Sequence, residues 1–213
     1  LEKRGAAKLT LTGTNSYTGG TSVAAGTLEG NVTSLPGDIA IASGATLSFD
    51  QVASGTKAGV ISGSGNLIKT GAGTLILSGA NTFTGQTTVS QGVLEGSAAA
   101  LPGASFSLAD GATLRFNQTT DATEAGSISG AGALEKLGSG TLTLSGANSY
   151  TGTTAISAGA LRGTTSSLQG DIANGATLIL DQGFDGDFAG LVSGAGVFQK
   201  TGSGTVRITQ SQS

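Results

Sequence analysis

Apolar and polar positions alternate along short stretches of this chain. In GATLSFD (44–50), GATLRFN (111–117) and GATLILD (175–181) the pairs Leu47 and Phe49, Leu114 and Phe116, and Leu178 and Leu180 stand two residues apart, the period of a strand with one buried face. No window sustains a helical period. The apolar stretches are brief, rich in Thr, Val, Ile and Leu, and bounded by Gly, Ser, Asn or Asp, as strands between tight turns should be. The pattern predicts an all-β chain of short strands with no sizeable helix.

A longer period overlies the short one. SGSGNLIKTGAGTLILSG (62–79), SGAGALEKLGSGTLTLSG (129–146) and SGAGVFQKTGSGTVRI (193–208) align almost letter for letter, and LEKRGAAKLTLTG opens the chain with the same segment. Leu1, Leu67, Leu134 and Phe198 mark corresponding positions, spaced by 66, 67 and 64, which gives repeats 1–66, 67–133 and 134–197 and a partial copy at 198–213 of a single unit. Within them a shorter beat is audible. Leu75, Leu94, Leu114 and Leu134 are spaced by 19, 20 and 20, and dividing each repeat by three predicts coils of roughly 22 residues. Stacked at about 4.8 Å, such coils make a parallel β-helix of about ten turns, a rod roughly 45 to 50 Å long.

Composition sharpens the picture. The 213 residues include 38 Gly, only 7 Phe and 2 Tyr, and no Trp, Met or Cys, which is too little bulk for a thick globular core. A solenoid resolves this, because each coil supplies a few inward side chains and neighbours share the burial. A net charge of −3 with few charges of either sign offers no basic stripe, so nucleic acid is excluded as a partner class. No apolar run approaches the roughly 20 residues of a membrane-spanning helix. Leu161 and Leu178 are 17 apart where the other copies have 19 and 20. The shortening is expected where NVTSLPGD and SAAALPGA become TTSSLQGD, in an exposed, variable loop carrying Pro36 and Pro102.

Three recurring features and one acidic patch are candidates for chemistry. Tyr17, Phe83 and Tyr150 are each preceded by Asn15, Asn81 or Asn148 and followed by Gly19, Gly85 or Gly152. A row of such rings would suit stacking on a repeating glycan. The structural reading is a corner in which Asn caps a turn, Gly takes a positive φ and the ring covers the bend; Phe at 83 makes the hydroxyl look dispensable. Glycine pairs (Gly63 and Gly65, Gly71 and Gly73, Gly130 and Gly132, Gly138 and Gly140) complete no phosphate-binding fingerprint and read as corners that let coils approach. Lys3, Lys69, Lys136 and Lys200 share one phase of the repeat. They are expected on one solvated face about 14 Å apart, beyond mutual reinforcement in physiological salt. Asp181, Asp185 and Asp187 in DQGFDGDF form the densest acidic patch, the place for a cation or an acid–base pair if the chain were a polysaccharide-cleaving enzyme. With no His and no Cys, triad and imidazole chemistry is impossible within the chain. No catalytic, cofactor-binding or metal-binding residue is assigned, and no cofactor is expected.

The run G-x-G-T-L-x-L-S-G-x-N-x-[YF]-T-G-x-T-x-[VI]-x-x-G-x-L, present as GAGTLILSGANTFTGQTTVSQGVLEG (71–96) and GSGTLTLSGANSYTGTTAISAGALRG (138–163), resembles the passenger-associated transport repeat of bacterial autotransporters. The resemblance implies a right-handed β-helix exported through the periplasm of a Gram-negative bacterium and displayed at or released from its surface. It implies as partner a C-terminal outer-membrane β-barrel of the same precursor, with a host-surface ligand, a glycan or self-association as further options. The expected function is a non-catalytic stalk that promotes its own secretion and displays a functional region. A glycan-binding or self-associating adhesin module is the alternative, and a carbohydrate-active enzyme the third reading.

Overall fold

A computed structural model describes residues 1–103 and 105–210. Every regular element in it is a strand, two to five residues long, and every pairing is parallel. One coil shows the plan. Ser105–Leu108, Thr113–Asn117 and Ala122–Glu124 fall in three different sheets, and the next strand, Ser127–Gly130, returns to pair with Ser105–Leu108, placing Phe106 beside Ile128. The chain therefore winds as a three-walled β-solenoid of about ten turns, as the strand pattern predicts.

Chain order assigns five sheets to the three walls. Wall one holds the four-stranded sheet that starts at Glu2–Lys3 and, further on, the five-stranded sheet from Ala122–Glu124 to Val197–Thr201. Wall two holds the eight strands from Lys8–Thr10 to Ser149–Tyr150, followed by Gly186–Phe188 with Val206–Ile208. Wall three holds the eight strands from Gly55–Lys57 to Val192–Ser193.

Like stacks on like inside these walls. Leu28, Leu47 and Leu67 are register partners in wall two, Leu75, Leu94, Leu114 and Leu134 in wall three, and Leu142, Leu161 and Leu178 in wall one. All ten are 0–1% exposed. Each buried leucine removes apolar surface worth about 1.5–3 kcal/mol from water, and in a column that burial is completed by the coil above and the coil below.

The register corrects the coil length. Leu75 pairs with Leu94 and Leu114 with Leu134, separations of 19 and 20, and the extremes are 17 (Leu161 with Leu178) and 22 (Phe106 with Ile128). The long repeat is thus three coils plus one wall. The equivalent strands Glu2–Lys3, Asn66–Thr70, Ala133–Leu137 and Val197–Thr201 accordingly occupy walls one, two, three and one again. Successive copies are turned by a third of a revolution, and no repeated surface feature forms a straight row.

The proline loop is also placed differently. In all three copies the turn drives a leucine inward: Leu35, Leu101 and Leu168 are buried, each over a glycine (Gly30, Gly96, Gly163) whose missing Cβ leaves room for it. Pro36 and Pro102 are half-buried, and the leucine follows the preceding wall's leucine by seven residues in each copy. The shortening lies one corner later. Four residues separate Ile39–Ile41 from Thr46–Asp50, and Ser105–Leu108 from Thr113–Asn117, but two separate Ile172–Asn174 from Thr177–Asp181. There Asn174 turns inward and closes the short corner itself, accepting from Ala176 N (3.3 Å) and donating to Val197 O (2.9 Å).

Candidate functional site

The aromatic slot is interior. Phe83 and Tyr150 are 0% and 1% exposed, and Tyr17 is half-buried in the first coils. Rings enclosed in this way present no face for a sugar to stack on, so the glycan-platform reading of this row fails. The Asn before each ring joins coils and does not cap its own turn. Asn81 accepts from Ile61 N and donates to Ala100 O, at 2.8 and 2.7 Å, reaching 20 residues back and 19 ahead. Asn148 repeats this with Ile128 N and Ser167 O, and Asn15 donates to Ser34 O. Gly85 and Gly152 do not have positive φ. They are glycine because a Cβ there would land on the carbonyl of Gly65 or Gly132 in the coil before.

The ring hydroxyl has a task after all. Tyr17 and Tyr150 hydrogen-bond Thr21 and Thr154, each at 2.9 Å. Those threonines interrupt the aliphatic columns, as Thr154 does between Leu134 and Ile172. Thr87 holds the same place between Leu67 and Phe106. With Phe83 in the ring slot, its Oγ1 is the one buried side-chain polar atom among the described residues without a partner. Restoring one buried hydrogen bond contributes about 1 kcal/mol. Phe83→Tyr is therefore expected to raise stability by about that amount in urea titration, and Tyr150→Phe to lower it similarly; a destabilised F83Y would show that the slot cannot take the oxygen.

The lysines overturn the solvated-face expectation. Lys3, Lys69 and Lys136 are 5%, 0% and 0% exposed. Their stems lie in the interior columns, Lys69 between Phe49 and Val89, Lys136 between Phe116 and Ile156. Each ammonium donates to three corner carbonyls. Lys69 Nζ reaches Thr70 O and Gly71 O at 2.7 Å and Gln91 O of the next coil at 3.2 Å. Lys136 reaches Leu137 O, Gly138 O and Ala158 O at 2.7, 2.8 and 3.2 Å, and Lys3 reaches Arg4, Gly5 and Ala25. Lys200 is exposed and donates to Gly202 O. Burial pushes the Lys69 amine down to about 8, with Asp50 acting weakly the other way, and lowers Lys136 for the same reason. The buried cation is a staple for carbonyls that the tight corner turns inward, and the four lysines stand on rotating walls.

Three further inward polar positions recur at corresponding corners. Gln51, Gln118 and Gln182 are buried at corners, where Gln118 accepts from Ala98 N (2.9 Å) and donates to Thr120 O (2.7 Å). The acidic patch disperses. Asp181 takes the hydroxyl of Thr201, Asp185 the N–H of Thr205, and Asp187 lies 3.9 Å from Arg207. Among the described residues no three carboxylates converge as a cation site would require.

Three stretches, residues 1–29, 67–95 and 134–162, match the family of the passenger-associated-transport-repeat. Each contains the buried lysine and the Asn–aromatic corner, while the corner glutamines Gln51, Gln118 and Gln182 lie outside the matched stretches. Over 209 residues, 96% of this chain, the sequence is 37% identical to the adhesin BmaC autotransporter of Brucella suis biovar 1 (strain 1330), of which it spans 5%. No solved structure matches. The chain is a β-solenoid that carries three passenger-associated transport repeats and is similar over nearly its whole length to a small part of an autotransporter adhesin.

Proposed function

We propose that this chain is a non-catalytic stalk segment of an autotransporter passenger, with repeats 1–66, 67–133 and 134–197 and a partial copy at 198–213, which assists its own passage through the outer membrane and holds a functional region away from a Gram-negative cell. Its partner in this reading is the C-terminal β-barrel of the same precursor. The observation that carries the reading is the parallel ladder from each coil to the next, in which Leu75 meets Leu94, Leu94 meets Leu114 and Leu114 meets Leu134. A chain emerging from a pore completes its hydrogen bonds and leucine contacts each time one more coil of sequence arrives on a folded layer, so folding opposes backsliding one layer at a time. The full interior favours a structural role, since the recurring residues are spent on each other.

The test is surface display. Replacing Leu94 and Leu114 together by Ser removes two adjacent members of the wall-three column. It is expected to reduce passenger reaching the cell surface several-fold, read by external protease cleavage at equal expression, and undiminished display would overturn the proposal. An adhesin role is the second reading, favoured by the adhesin BmaC relative; it is supported if the isolated chain binds cells or glycans and Phe83→Leu, which leaves the exterior unchanged, preserves that binding.

A further inference from the structure

One interior position differs in chemistry between the copies. Lys57, Glu124 and Phe188 end equivalent strands, Gly55–Lys57, Ala122–Glu124 and Gly186–Phe188, and all three side chains point inward and are buried. Phe188 fills the space with hydrocarbon. Lys57 uses its ammonium on the carbonyls of Leu35 and Gly37 in the turn beneath. Glu124 brings a carboxyl to a site where its counterpart is a donor to carbonyls, and it receives one N–H, from Gly126 at 2.8 Å.

The elements around Glu124 supply no counter-charge. The ladder above is Thr141–Leu144, with Leu144 opposite Glu124, and the strand that follows in its own coil is Ser127–Gly130; neither contains an ionisable residue. The coil before contributes the turn 97–103, tied to this corner by the Ala98 N–H on Gln118 Oε1, and it too is uncharged. Ionisable groups of the same and the following coil are engaged elsewhere. Asp121 accepts from Thr141 N, Arg162 lies 3.8 Å from Asp181, Lys136 holds the carbonyls of Leu137, Gly138 and Ala158, and Tyr150 bonds Thr154 and Gln169.

We propose that Glu124 is a proton-controlled latch in the second repeat, closed when its carboxyl is neutral and opened locally, over the turn 97–103 and the strand Ala122–Glu124, when it ionises. A neutral acid can stay buried without a counter-charge, whereas an ionised carboxylate is an acceptor only, with the Gly126 N–H as its donor and no cation to meet it. Burial raises the carboxyl to about 7 from 4.5, with the Gly126 N–H opposing. The folded layer therefore holds its proton more tightly than the open one, and its stability is complete below about 4.5, falls as pH rises, and levels off above about 7. Thr87, one layer earlier, adds its unpartnered hydroxyl to the same repeat, a second interior polar group without a full set of partners.

Hydrogen exchange of the whole chain, corrected for the intrinsic pH dependence of exchange, tests the latch. The opening constant of amides in 98–103 and 122–126 is expected to rise about tenfold per pH unit between roughly 5 and 6.5, reach a plateau near pH 7.5, and total on the order of a few hundredfold. Glu124→Gln, a neutral group of the same shape, should flatten this profile, while amides near Leu28 and Leu47 show no such change in either protein. The proposal fails if the profile persists in E124Q, or if the Glu124 carboxyl carbon, followed by NMR in the unsubstituted chain, titrates below pH 5. The NMR reading stands even if the variant does not fold.

Discussion

Lys136→Met is expected to destabilise the solenoid by about 2–4 kcal/mol, although it removes a charge from a hydrophobic column. Methionine keeps a stem of similar length between Phe116 and Ile156, so packing is nearly preserved. What disappears is the donor to Leu137 O, Gly138 O and Ala158 O. Leu137 O keeps the N–H of Gln118 at 2.8 Å, so the loss falls on Gly138 O and Ala158 O; a carbonyl left without a partner away from water costs about 1–3 kcal/mol, and the corner cannot turn its carbonyls outward because Gly138 holds φ +76° with the carbonyl of Gln118 pressed against where a Cβ would stand. Urea titration combined with hydrogen exchange at residues 138–141 and 158–160 gives the measurement, and a loss under about 1 kcal/mol would mean that the lysine is tolerated rather than needed. Lys69→Met adds a pH signature. Because burial depresses the Lys69 amine to about 8 from 10.5, the folded state releases its proton earlier than the unfolded state, and stability attributable to this residue rises as pH climbs from about 8 toward 10.5. That rise should be missing in K69M.

The lysines also show where sequence reasoning stopped short of its own rule. The period of two that placed Leu67 inward places Lys69 inward as well, since the two stand on one side of Asn66–Thr70. Charge suggested the opposite, and composition won over parity in the expectation. The same parity argument locates Gly96 behind Leu94, where the leucine of the following turn enters. The strand type, the leucine columns and the number of coils were legible because burial repeats at a fixed separation and leaves its mark on every layer. The rotation of the repeat was legible too, in the eight-residue step from Leu134 to Leu142, which is far too short for a full coil. It becomes unambiguous only through the pairing of Leu114 with Leu134 and of Leu142 with Leu161 in separate walls. The Tyr150–Thr154 bond and the solitary Glu124 were hidden for a different reason: each depends on what packs around it in the neighbouring coils, and residues a full coil apart carry no local signal of contact.

Rotation bears on function. A row of identical ligand sites on one face requires a repeat that is a whole number of coils, and this one is three coils and a wall. The same signature therefore faces three directions in turn, which suits a unit whose recurring residues hold layers together and does not suit a straight array of receptors. The fixed part of the signature should then be most sensitive where layers touch.

Gly130→Ala and Gly111→Ala separate that effect from backbone strain. Both glycines have positive φ, +99° and +74°, and any L-residue in the left-handed region costs about 1–2 kcal/mol. Around Gly111 nothing lies within 4 Å of an added Cβ, so Gly111→Ala should cost about 1 kcal/mol and little else. At Gly130 the Cβ would be driven onto the carbonyl of Leu108, its partner in the ladder, and the backbone of the next coil is bound on the other side through Thr151 N at 2.9 Å. Relief requires two coils to part, breaking parallel hydrogen bonds and exposing the ends of the Phe106–Ile128 column, for an expected loss of about 4 kcal/mol or more. Thermal and urea unfolding of the two variants, with each variant's surface display beside them, decides the matter. Comparable costs at the two glycines would mean that the close approach of coils is not what fixes the S-G-x-G corner, and the layer-on-layer account of the repeat would lose its main support.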